Sequence, residues 1–291
     1  MDLEQAHAAA SRMATSRSPM MRITSLFFTP EHRRAAHAVY AFFRTADDLV
    51  DEGNVSLAQF RSWQQESRRP IQEQNDPFTA AWADTRVRYG IPIEYEQAVL
   101  DGLELDLLCH RYETMNELKK YCYGVGVAPA LLSMSIVGFR PGVTFEQAKP
   151  YIENMGIALQ LTDIIRDVGI DVELGRIYLP KSELAAFNLT YVDIESRCYD
   201  ERFKRLMKHL TDMTRNYYAA SWPILDMFSD SFRLAGGVGL VLNRLLLDEV
   251  ERHEFDVFTG VKIPAWRRLW LLSARWPAIY WTKSAKKYFS Q

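Results

Sequence analysis

A chain of 291 residues, 48% hydrophobic and 25% charged, has a globular balance with length for one large core or two small ones. Its net charge of −2 sets up no basic field for nucleic acid. Three scattered cysteines, Cys109, Cys122 and Cys198, give neither a disulfide framework nor a metal-binding spacing, which fits a reducing cytoplasm. No signal peptide reads from "MDLEQAHAAASRMATSRS", and no segment is read as a bilayer-spanning helix.

Periodicity of 3.6 residues dominates, and strand signals are sparse. It predicts an all-α protein, a single domain over 1–291, with helices near 2–14, 30–51, 56–73, 77–89, 93–109, 114–136, 144–168, 191–227, 231–253 and 264–289. Turn signals separate them: "DEGN" at 51–54, "YGIP" at 89–92, "GFRPG" at 138–142 and "GRIYLP" at 175–180.

The helix over 30–51 ends in "AFFRTADDLVDE". Tyr40, Arg44, Asp47 and Asp51 fall at i, i+4, i+7 and i+11, along one side, with Asp48 beside them. Val39, Phe42, Phe43, Leu49 and Val50 fill the other positions. Like charges so spaced repel by about 0.2–0.5 kcal/mol per pair, so this stripe is either a solvated face or the border of a cavity. Further on, "MGIALQLTDIIRDVGIDVELGRIYLP" at 155–180 repeats the arrangement. Gly156, Gln160, Asp163, Asp167 and Asp171 follow steps of 4, 3, 4 and 4 on one helix face.

Two acidic stripes, each beside core-forming residues, call for a shared partner. Carboxylate oxygens are hard ligands that suit Mg²⁺, which bridges one or two carboxylates to a substrate phosphate. Two such helices can clamp Mg²⁺ ions around a diphosphate, and Arg44, Arg166 and Arg176 stand near enough in sequence to hold its oxygens. Mn²⁺ is the expected substitute. The spacing of a calcium loop and that of a nucleotide P-loop are both absent, and "GGVGL" at 236–240 reads as close packing or a bend.

These two stretches resemble the aspartate-rich signatures of the squalene/phytoene synthase family. The second fits the family pattern at Gly156, Gln160, Asp163, Ile164, Arg166, Asp167, Asp171, Arg176, Tyr178 and Pro180. "RYETMNELKKYCYGVGVAPALL" at 111–132 resembles the tyrosine-rich helix between them, and the likeness runs from about residue 15 to about residue 270. The resemblance implies an all-α isoprenoid-synthase bundle with a central cavity. It also implies Mg²⁺-dependent head-to-head (1′-1) condensation of two farnesyl or geranylgeranyl diphosphates to a C30 or C40 product. By position, Asp47, Asp48 and Asp51 would serve one metal cluster and Asp163, Asp167 and Asp171 the other, with Asp48 and Asp167 essential to turnover. Ser18, Arg44, Arg166, Arg176 and Lys262 would contact diphosphate. Tyr40 would sit at the reacting centre. Phe43, Tyr121, Gly124, Val125, Ala128 and Gln160 would line the cavity, with Tyr123 a further aromatic there.

Two elements depart from the family pattern. The N-terminal Ser-Phe element is replaced by "RSPMMRIT" at 17–24, which leaves Ser18 as its remnant. The basic pair after "VFT" is replaced by Gly260 and Lys262, with Arg267 and Arg268 further on. Rival readings are a head-to-tail elongase or terpene cyclase, a squalene synthase using NADPH, a hopanoid-associated enzyme acting on presqualene diphosphate or hydroxysqualene, and a non-catalytic scaffold of the same fold. No nicotinamide site is evident, so NADPH is not expected. The expected state is a cytoplasmic monomer or weak homodimer. The stretch 262–291, with seven cations, four tryptophans and no acid, is expected to give it a peripheral membrane contact.

Overall fold

The computed structural model of the protein describes residues 2–51, 55–108 and 111–261. Its helices are α1 (Leu3–Arg17), α2 (Pro19–Thr24), α3 (Pro30–Asp51), α4 (Leu57–Ser67), α5 (Pro77–Tyr89), α6 (Ile93–Leu108), α7 (Met115–Cys122), α8 (Ala128–Val137), α9 (Phe145–Glu173), α10 (Lys181–Ala186), α11 (Tyr191–Glu195), α12 (Glu201–Ser221), α13 (Ile224–Met227) and α14 (Asp230–Arg252). Among the described residues no β-strand forms; two isolated bridges pair Arg111 with Ile177 and Phe139 with Phe228.

Most boundaries have a cap. Asp76 accepts the N–H groups of Phe78 and Thr79, with Pro77 at the first position of α5, and Gly90 closes that helix at φ +56°. Reciprocal side chain–backbone bonds between Thr144 and Gln147 start α9. The expected helix over 191–227 is in fact three. Asp200 caps α12 by accepting from Arg202 and Phe203, Arg197 before it turns into the left-handed region at φ +54°, and Pro223 interrupts the run after Trp222. The short helices α2 and α10 carry too few residues to show a period, and the expectation missed both. The helix expected over 264–289 lies outside the described residues.

Buried residues recur at helical spacing and meet in one core. Phe42 of α3 stacks on Trp63 of α4 and Trp82 of α5, each with ring centroids 5.2 Å apart. Below them the fully buried Glu96 of α6 accepts from Trp82 Nε1 (3.1 Å) and pairs with Arg86 (2.9 Å) and Arg68 (3.4 Å), which ties α4, α5 and α6 together. On α12, Phe203, Leu206, Met207, Leu210, Thr214 and Tyr218 form a buried stripe, the helix packs on α9, and Tyr218 and Thr162 share a hydroxyl–hydroxyl bond of 2.9 Å.

Residues 115–137 are apolar and long enough to cross a membrane by length and composition, unlike the sequence expectation. They are largely buried inside the protein instead, and a π-turn over Tyr123–Val127 breaks them between α7 and α8. Glycine permits two close crossings there. A Cβ on Gly124 would lie 2.7 Å from the Gly102 Cα of α6, and one on Gly126 would lie 2.5 Å from the Gly156 carbonyl of α9. The π-turn is thus held directly against the backbones of α6 and α9.

Candidate active site

One face of α3, made by Ala36, Val39, Tyr40, Phe43, Arg44 and Asp47, opens on a cavity of about 740 Å³. Facing it are Val99, Leu103 and Asp106 of α6, Tyr121 of α7, Val125 of the π-turn, Pro129, Ser133, Ile136 and Val137 of α8, and Gln160 and Asp163 of α9. Met21, Phe28 and Phe232 complete the lining. The two acidic stripes therefore contribute to one space, Asp47 from one side and Asp163 from the other. Most of the remaining wall is apolar.

Arginines hold the carboxylates in place. Arg44 pairs with Asp47 at 3.0 Å and Asp48 at 2.6 Å, one turn along its own helix. Asp48 also takes Arg17 from α1. On α9, Arg166 pairs with Asp163 at 2.7 Å and with Asp167, Nε to Oδ1, at 2.7 Å. The Arg176 backbone N–H donates to the Asp171 carbonyl at 2.8 Å where α9 ends, which folds "GRIYLP" back beside Asp171.

This compensation is incomplete. Burial pushes the Asp163 carboxyl above the usual carboxylate range, with Asp167 adding to it against the pull of Arg166. Asp171 is pushed up to about 7 by burial, then by Asp167 and Asp106, against Arg176 and Arg166. The Asp163 side chain is 41% accessible, but it lines the cavity, so the space it reaches lies within the fold. Among the described residues, the six carboxyls at and beside the cavity, Asp47, Asp48, Asp106, Asp163, Asp167 and Asp171, outnumber the four arginines that act on them, Arg17, Arg44, Arg166 and Arg176.

Asp106 is a further member that sequence reasoning missed. It accepts from Tyr121 Oη at 3.1 Å and Tyr178 Oη at 2.7 Å, and it lines the cavity. Tyr112 joins the group, its ring centroid 5.7 Å from Tyr121 and 5.9 Å from Tyr178. Burial and then the Asp106 charge raise both the Tyr121 and the Tyr178 hydroxyl well above the ordinary tyrosine value, so both stay protonated and donate.

The sequence model of the squalene/phytoene synthase family matches residues 15–267. The chain belongs to that family. It is 31% identical over 280 residues to the 15-cis-phytoene synthase of Synechococcus elongatus, covering 92% of this chain and 91% of that one. It is 33% identical over 258 residues to the phytoene synthase of Arthrospira platensis, covering 82% of each. In fold it is similar to a dehydrosqualene synthase solved with ligand, with TM-score 0.83 at 23% identity over 94% of this chain and 95% of that one. It is likewise similar to squalene synthase HpnC from Alicyclobacillus acidocaldarius, with TM-score 0.80 at 23% identity over 87% and 95%.

Not every residue carried over from the family pattern reaches the cavity wall. Tyr40, Phe43, Arg44, Asp47, Tyr121, Val125, Gln160 and Asp163 do. Gly124 does not, because it is pressed against Gly102, nor does Ala128, which is fully buried in the core. The Tyr123 side chain is exposed and does not line the cavity. Ser18 caps α2, its Oγ accepting the Met21 N–H at 3.1 Å, and it is Met21 that reaches the cavity. Asp48 and Asp167 stand beside the lining residues through their shared arginines, and Asp171 and Arg176 border a crevice with Tyr178. Lys262 and the side chain of Asp51 lie outside the described residues. Cys122 is buried, its thiol pushed up to about 12 by that burial, and takes no part.

Proposed function

We propose that the protein condenses two prenyl diphosphates head to head (1′-1), through a cyclopropyl diphosphate intermediate, and releases diphosphate. The observation that carries this reading is the convergence of Arg44 and Asp47 of α3 with Gln160 and Asp163 of α9 on one largely apolar cavity. The names of the relatives above 30% identity favour geranylgeranyl diphosphate as substrate and a phytoene-type C40 product.

The donor set suits Mg²⁺. It is all carboxylate oxygen, and burial with mutual repulsion at Asp163 and Asp171 is what a bound cation would relieve. Among the described residues no three acids, histidines or cysteines close a cage by themselves. That is the ordinary Mg²⁺ situation, in which substrate phosphate completes the sphere. Asp47, Asp48 and Asp51 on one helix and Asp163, Asp167 and Asp171 on the other would hold the ions. Bound Mg²⁺ supplies neutralisation of the leaving diphosphate.

The protein's own groups supply the rest. Arg44 and Arg166, each fixed by two aspartates, present guanidinium donors to phosphate oxygens. The apolar wall keeps water from the allylic cation, and the Tyr40, Phe43 and Tyr121 rings offer it π-faces. The released diphosphate can take the final proton, so no side chain is assigned as general base.

The test incubates purified protein with Mg²⁺ and either farnesyl or geranylgeranyl diphosphate, with and without NADPH, and identifies products by mass spectrometry. A C40 hydrocarbon from geranylgeranyl diphosphate alone is expected. A C30 product would move the assignment to a squalene or dehydrosqualene type. No hydrocarbon from either substrate would overturn the reading.

A further inference from the structure

The segment from Ser18 to Phe28 is one layer thick between cavity and solvent. Met21, Ser25 and Phe28, at i, i+4 and i+7, form its inner side: Ser25 is buried, and Met21 and Phe28 line the cavity. Ile23, Leu26 and Phe27, at i, i+3 and i+4, form its outer side and are 56%, 67% and 43% exposed. The solvent side of a short helix is ordinarily polar; three adjacent large apolar side chains there mark an interaction surface. Arg33 fixes this arrangement by donating to three backbone carbonyls, those of Ser25 (2.8 Å), Leu26 (3.3 Å) and Phe28 (3.2 Å).

Charge selects the occupant. Residues 12–34 hold five arginines and one acid, Glu31. Arg17 and Arg34 are paired with Asp48 and Glu4. Arg22 donates to the Thr15 carbonyl, and Arg33 donates to the carbonyls just named. A carbonyl cancels no charge, so Arg22 and Arg33 bring positive charge to the edge of the apolar patch. A second copy of this chain would bring the same cations together across a two-fold interface. Residues 262–291, with seven cations and no acid, would bring like charge as well.

We propose that Ile23, Leu26 and Phe27, flanked by Arg22 and Arg33, dock the protein on an anionic lipid surface. The three apolar side chains enter the acyl boundary and the guanidinium groups meet the headgroups. The cavity wall at Met21 and Phe28 then lies against the bilayer. If the proposed function holds, a hydrocarbon product passes into lipid there without crossing water.

The test sediments the 291-residue protein with vesicles of phosphatidylcholine, with or without phosphatidylglycerol. Wild type is expected to bind the anionic vesicles, less as salt rises, and to bind the neutral ones weakly. Leu26→Ser combined with Phe27→Ser should weaken partitioning by at least about tenfold, and Arg22→Glu by several-fold. Melting temperature and solution mass should be unchanged in both. Variants that bind like wild type, or a wild type that binds no vesicle, would overturn the proposal. So would a lowered melting temperature or a lost dimer in the double variant, since either means that protein covers this face. Turnover of detergent-dispersed prenyl diphosphate separates the two readings. An inactive wild type that still binds vesicles sinks the proposed function alone.

Discussion

Tyr178 Oη donates to Asp106 Oδ1 at 2.7 Å across 72 positions of sequence. The bond fastens the segment after the second acidic stripe to the cavity wall, and Tyr121 fastens the tyrosine-rich helix to the same carboxylate. Asp106→Leu leaves two buried hydroxyls without their acceptor and should cost about 2–4 kcal/mol of stability, read by denaturant unfolding. Asp106→Asn keeps one acceptor oxygen and removes the charge. It should fold with a loss nearer 1 kcal/mol and still lose more than about tenfold in kcat. A fully active Asp106→Asn variant would reduce Asp106 to a packing element.

Asp48→Asn and Asp167→Asn should abolish turnover with helix content and melting temperature retained. Each removes a carboxylate from a like-charged stripe, which by itself relieves repulsion of a few tenths of a kcal/mol. Asp48→Asn also loosens two arginines, Arg44 and Arg17, and Asp167→Asn loosens one, Arg166, so net stability should move by less than about 1 kcal/mol. EDTA should end wild-type activity, and Mg²⁺, or less well Mn²⁺, should restore it. Near-normal activity of both variants at saturating Mg²⁺ would defeat the metal-clamp assignment.

Both acidic stripes were legible because their spacing is local: Tyr40, Arg44 and Asp47 share a helix face by arithmetic alone, as do Gln160 and Asp163. Arg17 and Asp106 were not legible. Their partners, Asp48, Tyr121 and Tyr178, lie 31, 15 and 72 positions away, and no periodicity spans such gaps. The resemblance puts Gly124 on the cavity wall, whereas Gly124 and Gly126 both serve backbone contact, with α6 and α9 respectively. Composition announces a close approach but does not say what approaches. The break of the expected 191–227 helix was written in "CYD", a turn followed by an N-cap, and was outweighed by the apolar periodicity on both sides.

Gly126→Ala should be among the most damaging single methyls in the protein's centre, with Gly156→Ala, whose Cβ would lie 2.5 Å from the Val127 Cα. The Cβ at Gly126 would sit 2.5 Å from the Gly156 carbonyl, and backbone on both sides cannot yield cheaply, so a loss of roughly 1–3 kcal/mol or more is expected. Gly239→Ala in α14 is the control: nothing lies within 4 Å of its Cβ, and alanine should stabilise that helix by roughly 0.4–1 kcal/mol. Chemical denaturation of the pair checks both signs. Because Gln160 lies within contact of the Gly126 position, Gly126→Ala should also lower activity more than its stability loss accounts for.

Acid should loosen α1 before the rest. His7 of α1 meets Asp84 of α5 at 2.7 Å, and His37 of α3 meets Ser11 of α1 at 3.1 Å. Burial lowers both imidazoles from the usual 6.5; Asp84 and Glu4 oppose it at His7 and Arg34 reinforces it, while Arg33 reinforces it at His37. A histidine whose folded pKa is depressed binds its proton more readily unfolded, so stability is fully present above about 6.5 and falls as pH drops toward the folded value. Asp171, raised to about 7, acts in the opposite sense, since its folded form keeps a proton that the unfolded chain releases. Comparing wild type with His37→Gln cancels that contribution. The variant should lose some stability at pH 7 from altered packing, yet its melting temperature should fall less steeply than wild type between about pH 6.5 and 5. Equal slopes would show that His37 does not link proton binding to folding.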